Sequence, residues 1–387
     1  MSSRFRFLKA GILVAAFLGG CATIRAKNSA GPACSRQNVA DAINKEVERF
    51  SPGTGTGVPG VTAAVFLPKK WATPVALARG YSDFEAKITM RPEDEMLAGS
   101  IGKTFFAAAA LRLAARGKLD LDRPISAYLP GFAVPNGKIV TARMLLSHTS
   151  GYSEFDERFM DDLIARPLAT RDLNDWLGPI QRNPPGSPGK FRYSDINFMV
   201  LASVVSAAAG QSSYDLIREE LLQPLRLKHT RPADRPDLPG LVPGYAGSKN
   251  PFGADKVMVK GRLIYNPQFE WGGGGFRSSS PDLARWIYAV RSGKAFPSKL
   301  WPEVSRPVSV DEKGEGYGLG IHINPTRVGT AYGHGGYIPG YFSWVRWYED
   351  PGFSVAAQTN TSDDSRLKFN GYEVLDAIAQ KVAMICK

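Results

Sequence analysis

A serine followed three residues later by a lysine is where this chain most directly offers chemistry: Gly99-Ser100-Ile101-Gly102-Lys103. A serine hydroxyl is a weak nucleophile and needs a base within hydrogen-bond reach. The Ala- and Leu-rich run from Lys103 to Arg116 predicts a helix, stopped by Gly117. With Ser100 at the helix start, Lys103 lies one turn on and on the same face, so its amine can reach Oγ. The helix N-terminus adds free N–H groups and partial positive charge beside a reacting carbon. The chemistry this suits is acyl transfer through a covalent intermediate on Ser100. Taken alone, the motif also reads as a capping serine followed by a solvated lysine.

The motif has company. Gly80-Tyr81-Ser82-Asp83 precedes it and Gly117-Lys118-Leu119-Asp120 follows. Further on stand Leu145-Leu146-Ser147-His148-Thr149-Ser150-Gly151, Phe191-Arg192-Tyr193-Ser194-Asp195, Gly273-Gly274-Gly275-Phe276 and Gly333-His334-Gly335-Gly336. In this order the set resembles the serine β-lactamase and penicillin-binding-protein-like family, in its class C β-lactamase, D-peptidase and esterase branch. The resemblance runs from about residue 38 to 385.

It implies Ser100 as nucleophile, Lys103 as its lysine, Tyr193 as proton shuttle, and His334-Gly335-Gly336 as the third motif on a strand edge. By the same resemblance the backbone N–H groups of Ser100 and Tyr337 form the oxyanion hole, and Asp195, Gly335 and Gly336 meet substrate. Two positions depart from the family pattern. Asp195 stands where the family has asparagine, and His334 where it commonly has lysine. A lysine is a permanent cation for a β-lactam carboxylate; a histidine is one only when protonated. The expected activity is therefore a serine hydrolase of esters or D-residue amides and peptides, with weak action on β-lactams. Lys103 is expected to be neutral, or to share a proton with Tyr193, because His334 crowds it. His148 reads as a histidine bonding its own loop, and Gly272–Gly275 as a turn passing close to the site. The rival functional reading is a lipid-anchored binding protein for cell-wall peptides that keeps the fold without catalysis. An α/β-hydrolase is disfavoured because no G-x-S-x-G elbow is present.

Val39, Ile43, Val47 and Phe50 recur at helical spacing. Val61–Leu67 and Val75–Tyr81 read as a strand pair. Residues from about 120 to 250 carry helical stretches broken by Pro and Gly, among them Arg171–Leu177 and Asn197–Ala208. Ser280-Pro281-Asp282 opens another helix. Strands return at Tyr317–Ile323, Tyr341–Tyr348 and Phe353–Gln358, and Val374, Ile378, Val382 and Ile385 close the chain at helical spacing. The fold class expected is α/β of the α+β type. An antiparallel sheet built from both ends of the chain is flanked by N- and C-terminal helices, with a mainly helical domain inserted. The boundaries are 35–90 and 251–387 for the sheet domain and 91–250 for the helical one.

Residues 1–20 read as a secretory signal, with Arg4, Arg6 and Lys9 before the apolar run Ala10–Leu18. The ending Leu18-Gly19-Gly20-Cys21 resembles a bacterial lipobox, making Cys21 a lipid anchor and 21–34 a tether. The alternative is an ordinary signal with Cys21 incidental. The expected location is the bacterial cell envelope, with membrane contact through the anchor. The chain's formal net charge is +12, and the signal's three cations leave +9 without them. Acids and bases are interspersed, so a solvated basic surface is read and no nucleic-acid partner. The four histidines are scattered without metal-ligand spacing, so neither metal nor cofactor is expected. Export implies an oxidising compartment, in which Cys34 and Cys386 form a natural disulfide pair; two unrelated cysteines are the alternative. Oligomeric state is not readable.

Overall fold

The run Gly60–Phe66 is built of β-branched and small residues, and all seven are buried. A strand buried on both faces needs cover on both. Val61, Ala63 and Val65 pack with Val39, Ile43, Val374 and Ile378, whereas Ala64 and Phe66 belong to the larger core on the opposite face. This period of two sets the architecture. It is seen in a computed structural model that describes residues 33–50, 57–367 and 370–386. The signal, Cys21 and most of the tether lie outside the described residues.

The strands are β1 (Gly60–Phe66), β2 (Val75–Asp83), β3 (Ile88–Thr89), β4 (Met96–Leu97), β5 (Arg231–Pro232), β6 (Met258–Val259), β7 (Arg262–Leu263), β8 (Phe276–Ser278), β9 (Gly316–Tyr317), β10 (His322–Thr326), β11 (Gly329–Ile338), β12 (Tyr341–Tyr348) and β13 (Phe353–Thr359). The helices are α1 (Arg36–Val47), α2 (Gly102–Ala115), α3 (Ala142–Leu146), α4 (Glu157–Ala165), α5 (Leu173–Arg182), α6 (Asp195–Ala209), α7 (Ser213–Ile217), α8 (Trp271–Gly274), α9 (Ser280–Arg291), α10 (Trp301–Val304) and α11 (Gly371–Ile385). The main sheet has eight strands in the order β3-β2-β1-β13-β12-β11-β10-β9. Its named pairings are antiparallel, and β1 joins the C-terminal strands through Val61 opposite Thr359. The sheet is thus closed from the two ends of the chain.

α1 and α11 lie together on one face and α9 crosses the other. Ser35 caps α1, its Oγ accepting from Asn38 N at 3.1 Å. Glu46 of α1 meets Lys381 of α11 as an ion pair. α2 and α6 are apolar nearly all round and form the centre of the larger core. A helix without a polar face must be enclosed, and α3, α5, α7 and α8 enclose this pair.

Two expectations about the strands need correction. Tyr317–Ile323 is not continuous: Gly318–Ile321 turns between β9 and β10, with Gly320 at φ +80° and its N–H bonded to Leu146 O. In addition β11, absent from the strands read by pattern, is the longest in the sheet at 10 residues.

Cys34 and Cys386 are bonded, with Cα atoms 4.7 Å apart, tying the start of α1 to the end of α11. The closed loop spans 352 positions of sequence. The chain-entropy account gives such a bridge a few kcal/mol, about 5 at most. The double variant Cys34→Ser/Cys386→Ser is therefore expected to unfold at lower denaturant, with the loss concentrated in α1 and α11. Chemical denaturation with hydrogen exchange checks this; equal midpoints would show that the bridge adds nothing.

Candidate active site

The turn that carries Ser100 is a short 3₁₀ segment, Gly99–Ile101, running directly into α2. Two glycines make its position possible. Gly99 has φ +52°, and a Cβ there would stand 2.7 Å from Tyr337 N. A Cβ on Gly336 would meet Ala98 O at 1.9 Å and Ser100 N at 3.1 Å. The nucleophile turn and the β11 edge thus press backbone to backbone, which only glycine permits. This brings the backbone amides of Ser100 and Tyr337 close together.

One turn into α2, the fully buried Lys103 points its Nζ back to Ser100 Oγ at 2.8 Å. The same Nζ donates to Gly273 O at 2.6 Å and pairs with the Asp195 carboxylate. Two of these contacts are hydrogen bonds and the third is an ion pair. Gly272–Gly275 do pass close to the site as expected, but as the short helix α8 and its end, and the Gly273 carbonyl is one of the lysine's ligands.

Tyr193 precedes α6 and is hydrogen-bonded to Ser100. Burial holds its phenol well above the usual range, helped by the Asp195 charge and opposed by the Ser100 bond. Asp195, the first residue of α6 and expected to meet substrate, pairs through its carboxylate with Lys103. His334 was expected to crowd Lys103 and so favour its uncharged amine. Burial holds its imidazole well below the usual range, with His322 and Lys103 pushing the same way, so it is neutral. The lysine's charged neighbour is the Asp195 carboxylate.

Two carboxyl groups that the sequence reading missed complete the surroundings. Glu154 Oε2 accepts from Asp195 N at 2.8 Å. Burial and the Asp195 charge push its carboxyl up to about 7. Glu270 is buried, and its Oε2 has no hydrogen-bond partner. Burial and then Asp195 hold it well above the usual carboxylate range. An unpaired buried carboxylate costs several kcal/mol, so Glu270 is a neutral acid. Tyr317 was also missed: its hydroxyl stands 3.3 Å from both His148 Nε2 and His334 Nε2. His148 is fully buried and reaches well beyond its own loop, to Ser194, Asn197 and Tyr317.

Ser100, Tyr193, His334, Gly335, Gly336 and Tyr337 all line one cleft of about 630 Å³. Its far wall is Asn324, Arg346 and Tyr372. Arg346 NH1 is engaged by both Asp376 oxygens, at 2.8 and 2.9 Å. A second cavity of about 680 Å³ shares Tyr337 and Phe342 with the first. The site therefore has a hydroxyl in contact with an amine and a phenol, two nearby amides, and room on either side. Those are the parts needed to open an acyl bond by nucleophilic attack.

Comparison with known proteins agrees with this geometry. A profile of the Beta-lactamase family matches residues 39–379. Esterase EstB of Burkholderia gladioli is 28% identical over 323 residues, covering 74% of this chain and 82% of the esterase. The putative penicillin-binding protein PbpX of Bacillus subtilis (strain 168) is 28% identical over 271 residues, or 68% of this chain, and the match spans 61% of that relative's length. Among solved structures, a D-stereospecific amidohydrolase from Streptomyces sp. superposes with a TM-score of 0.70 at 25% identity, over 91% of this chain and 98% of the other.

Proposed function

Since the chain belongs to the Beta-lactamase family and is a serine hydrolase of that family, we propose that it transfers the acyl group of an ester or a D-residue amide to water through Ser100. The observation that carries this is the contact of Ser100 Oγ with Lys103 Nζ at 2.8 Å, beside the Tyr193 phenol and at the floor of an open cleft. Lys103 and Tyr193 together are the base. In the reacting form the pair lacks one proton, takes it from Ser100 as the hydroxyl attacks, and returns it to the leaving group. The Ser100 and Tyr337 amides hold the tetrahedral oxyanion. Water then attacks the acyl-serine by the same route in reverse.

The neutral state of His334 supports an uncharged group at that point of the substrate. A hydrogen bond to a charged group contributes about 1.5–3 kcal/mol, which is roughly ten- to a hundredfold in rate. Without a cation at position 334, a β-lactam carboxylate forgoes that gain. Purified protein is expected to hydrolyse short-chain aryl esters, or a D-amino-acid amide, at least tenfold more efficiently than a chromogenic cephalosporin. A preference for the cephalosporin would overturn the substrate assignment. We propose further that Cys21 carries a lipid and holds the enzyme at the bacterial envelope; the support is the basic–apolar–cysteine pattern of residues 4–21. The mass of the mature N-terminal peptide tests it.

A further inference from the structure

Four groups between α3 and the sheet form a chain in which each hydrogen has one possible direction. The Ser194 amide can only donate, and it donates to His148 Nδ1 at 3.3 Å. Asn197 Nδ2 adds a second donor to that nitrogen at 3.2 Å, its amide oriented by Ser150 Oγ donating to Oδ1. His148 Nδ1 is therefore bare, and the ring's hydrogen is on Nε2, 3.3 Å from the Tyr317 oxygen. At the other end, His334 Nδ1 lies 2.6 Å from Gly335 O. A carbonyl can only accept, so this nitrogen carries the hydrogen. His334 Nε2, 3.3 Å from Tyr317, is then left as an acceptor. The Tyr317 hydroxyl fits between them in one way: it accepts from His148 and donates to His334.

We propose that Tyr317 is a positioning residue that fixes His334 as its neutral Nδ1–H form and thereby holds the Gly335–Gly336–Tyr337 edge against Ser100. The chain starts beside Tyr193 and Asp195 and ends on β11, so it ties the proton-handling residues to the oxyanion strand. Protonating His334 at Nε2 would turn a second N–H toward the Tyr317 oxygen and leave the hydroxyl hydrogen without an acceptor. The charged and titratable groups around it act the same way: Lys103 from α2, Arg346 from β12 and His322 from β10 all oppose a positive charge on His334 or its neighbours. Tyr193 is the nearby phenol, its ring centroid 6.2 Å from His334's.

The inference rests on the reading of Ser100 and Tyr337 as the reacting site, but its first test needs no substrate. Nitrogen-15 spectra of the four imidazoles, assigned with His→Gln variants, should show His148, His322 and His334 all staying neutral from pH 5 to 8. His148 should be the Nε2–H tautomer and His334 the Nδ1–H tautomer. A His334 in the Nε2–H form, or one that titrates in this range, would overturn the proposal. Tyr317→Phe should let the His334 tautomers interconvert and lower kcat about tenfold with little change in KM, the mark of a loosened oxyanion site. A folded Tyr317→Phe enzyme with native kcat and a native His334 signal would also overturn it. Should that variant fail to fold, the wild-type spectra decide alone. Correct tautomers in a protein that hydrolyses nothing would instead count against the hydrolase reading.

Discussion

Ser100→Ala is expected to bring turnover of every accepted substrate to background, a fall on the order of 10⁴ or more, as when a serine hydrolase loses its nucleophile. The fold should survive. The substitution removes one hydroxyl from a 3₁₀ turn whose shape is set by Gly99 and by contact with Gly336. Lys103 keeps two of its three partners, Gly273 O and Asp195. The stability cost is therefore about 1 kcal/mol, the net worth of one hydrogen bond. Steady-state kinetics with a denaturation curve separate the two effects. An alanine enzyme that works at a similar rate would mean that the nucleophile lies elsewhere.

Lys103→Met should be damaging in two separable ways. Catalysis loses half of the base pair, which for general-base assistance is a factor of 10²–10⁴. Stability falls as well, because Asp195 is left beside the buried Glu270 and the half-buried Glu154 without its cation. Breaking one side of a buried ion pair typically costs about 3–5 kcal/mol. The double variant Lys103→Met/Asp195→Asn removes the stranded charge, so it should regain much of the stability and none of the activity. Recovery of both would make the lysine a purely structural partner. The carboxyl cluster also sets the sign of the pH dependence. Burial and the Asp195 charge favour the protonated Tyr193 phenol, and the reacting form of the Lys103–Tyr193 pair has one proton fewer. Wild-type rate should consequently rise with pH from the acid side, and a flat profile would contradict the pair's role.

The two ends of the chain were legible because their patterns are local. Val39, Ile43 and Val47 announce α1, and Val61–Phe66 with Val75–Tyr81 announce the β1–β2 pair. The Ala-rich run after Ser100 announces α2. β11 was hidden because Gly329, Gly333, Gly335 and Gly336 dilute the alternation that marks a strand. Those glycines are there for close approach: a Cβ on Gly333 would strike Val345 O and one on Gly336 would strike Ala98 O. The ordered motifs led to Ser100, Lys103, Tyr193, His334 and Tyr337, which the fold gathers around one cleft. What they did not give was charge. Glu154, Glu270 and Tyr317 lie in unrelated stretches, and only tertiary packing brings them to the site. Their own burial is what makes the Glu270 carboxyl and the His334 imidazole neutral. A motif carries residue types, whereas protonation depends on what is packed around them.

A covalent acyl-Ser100 intermediate can be measured directly by intact-protein mass spectrometry of the enzyme quenched during turnover of a slowly deacylated ester. One acyl group per chain is expected, mapped by digestion to the peptide containing Ser100 and missing from Ser100→Ala. Sustained turnover without any adduct, or an adduct on a different residue, would contradict it.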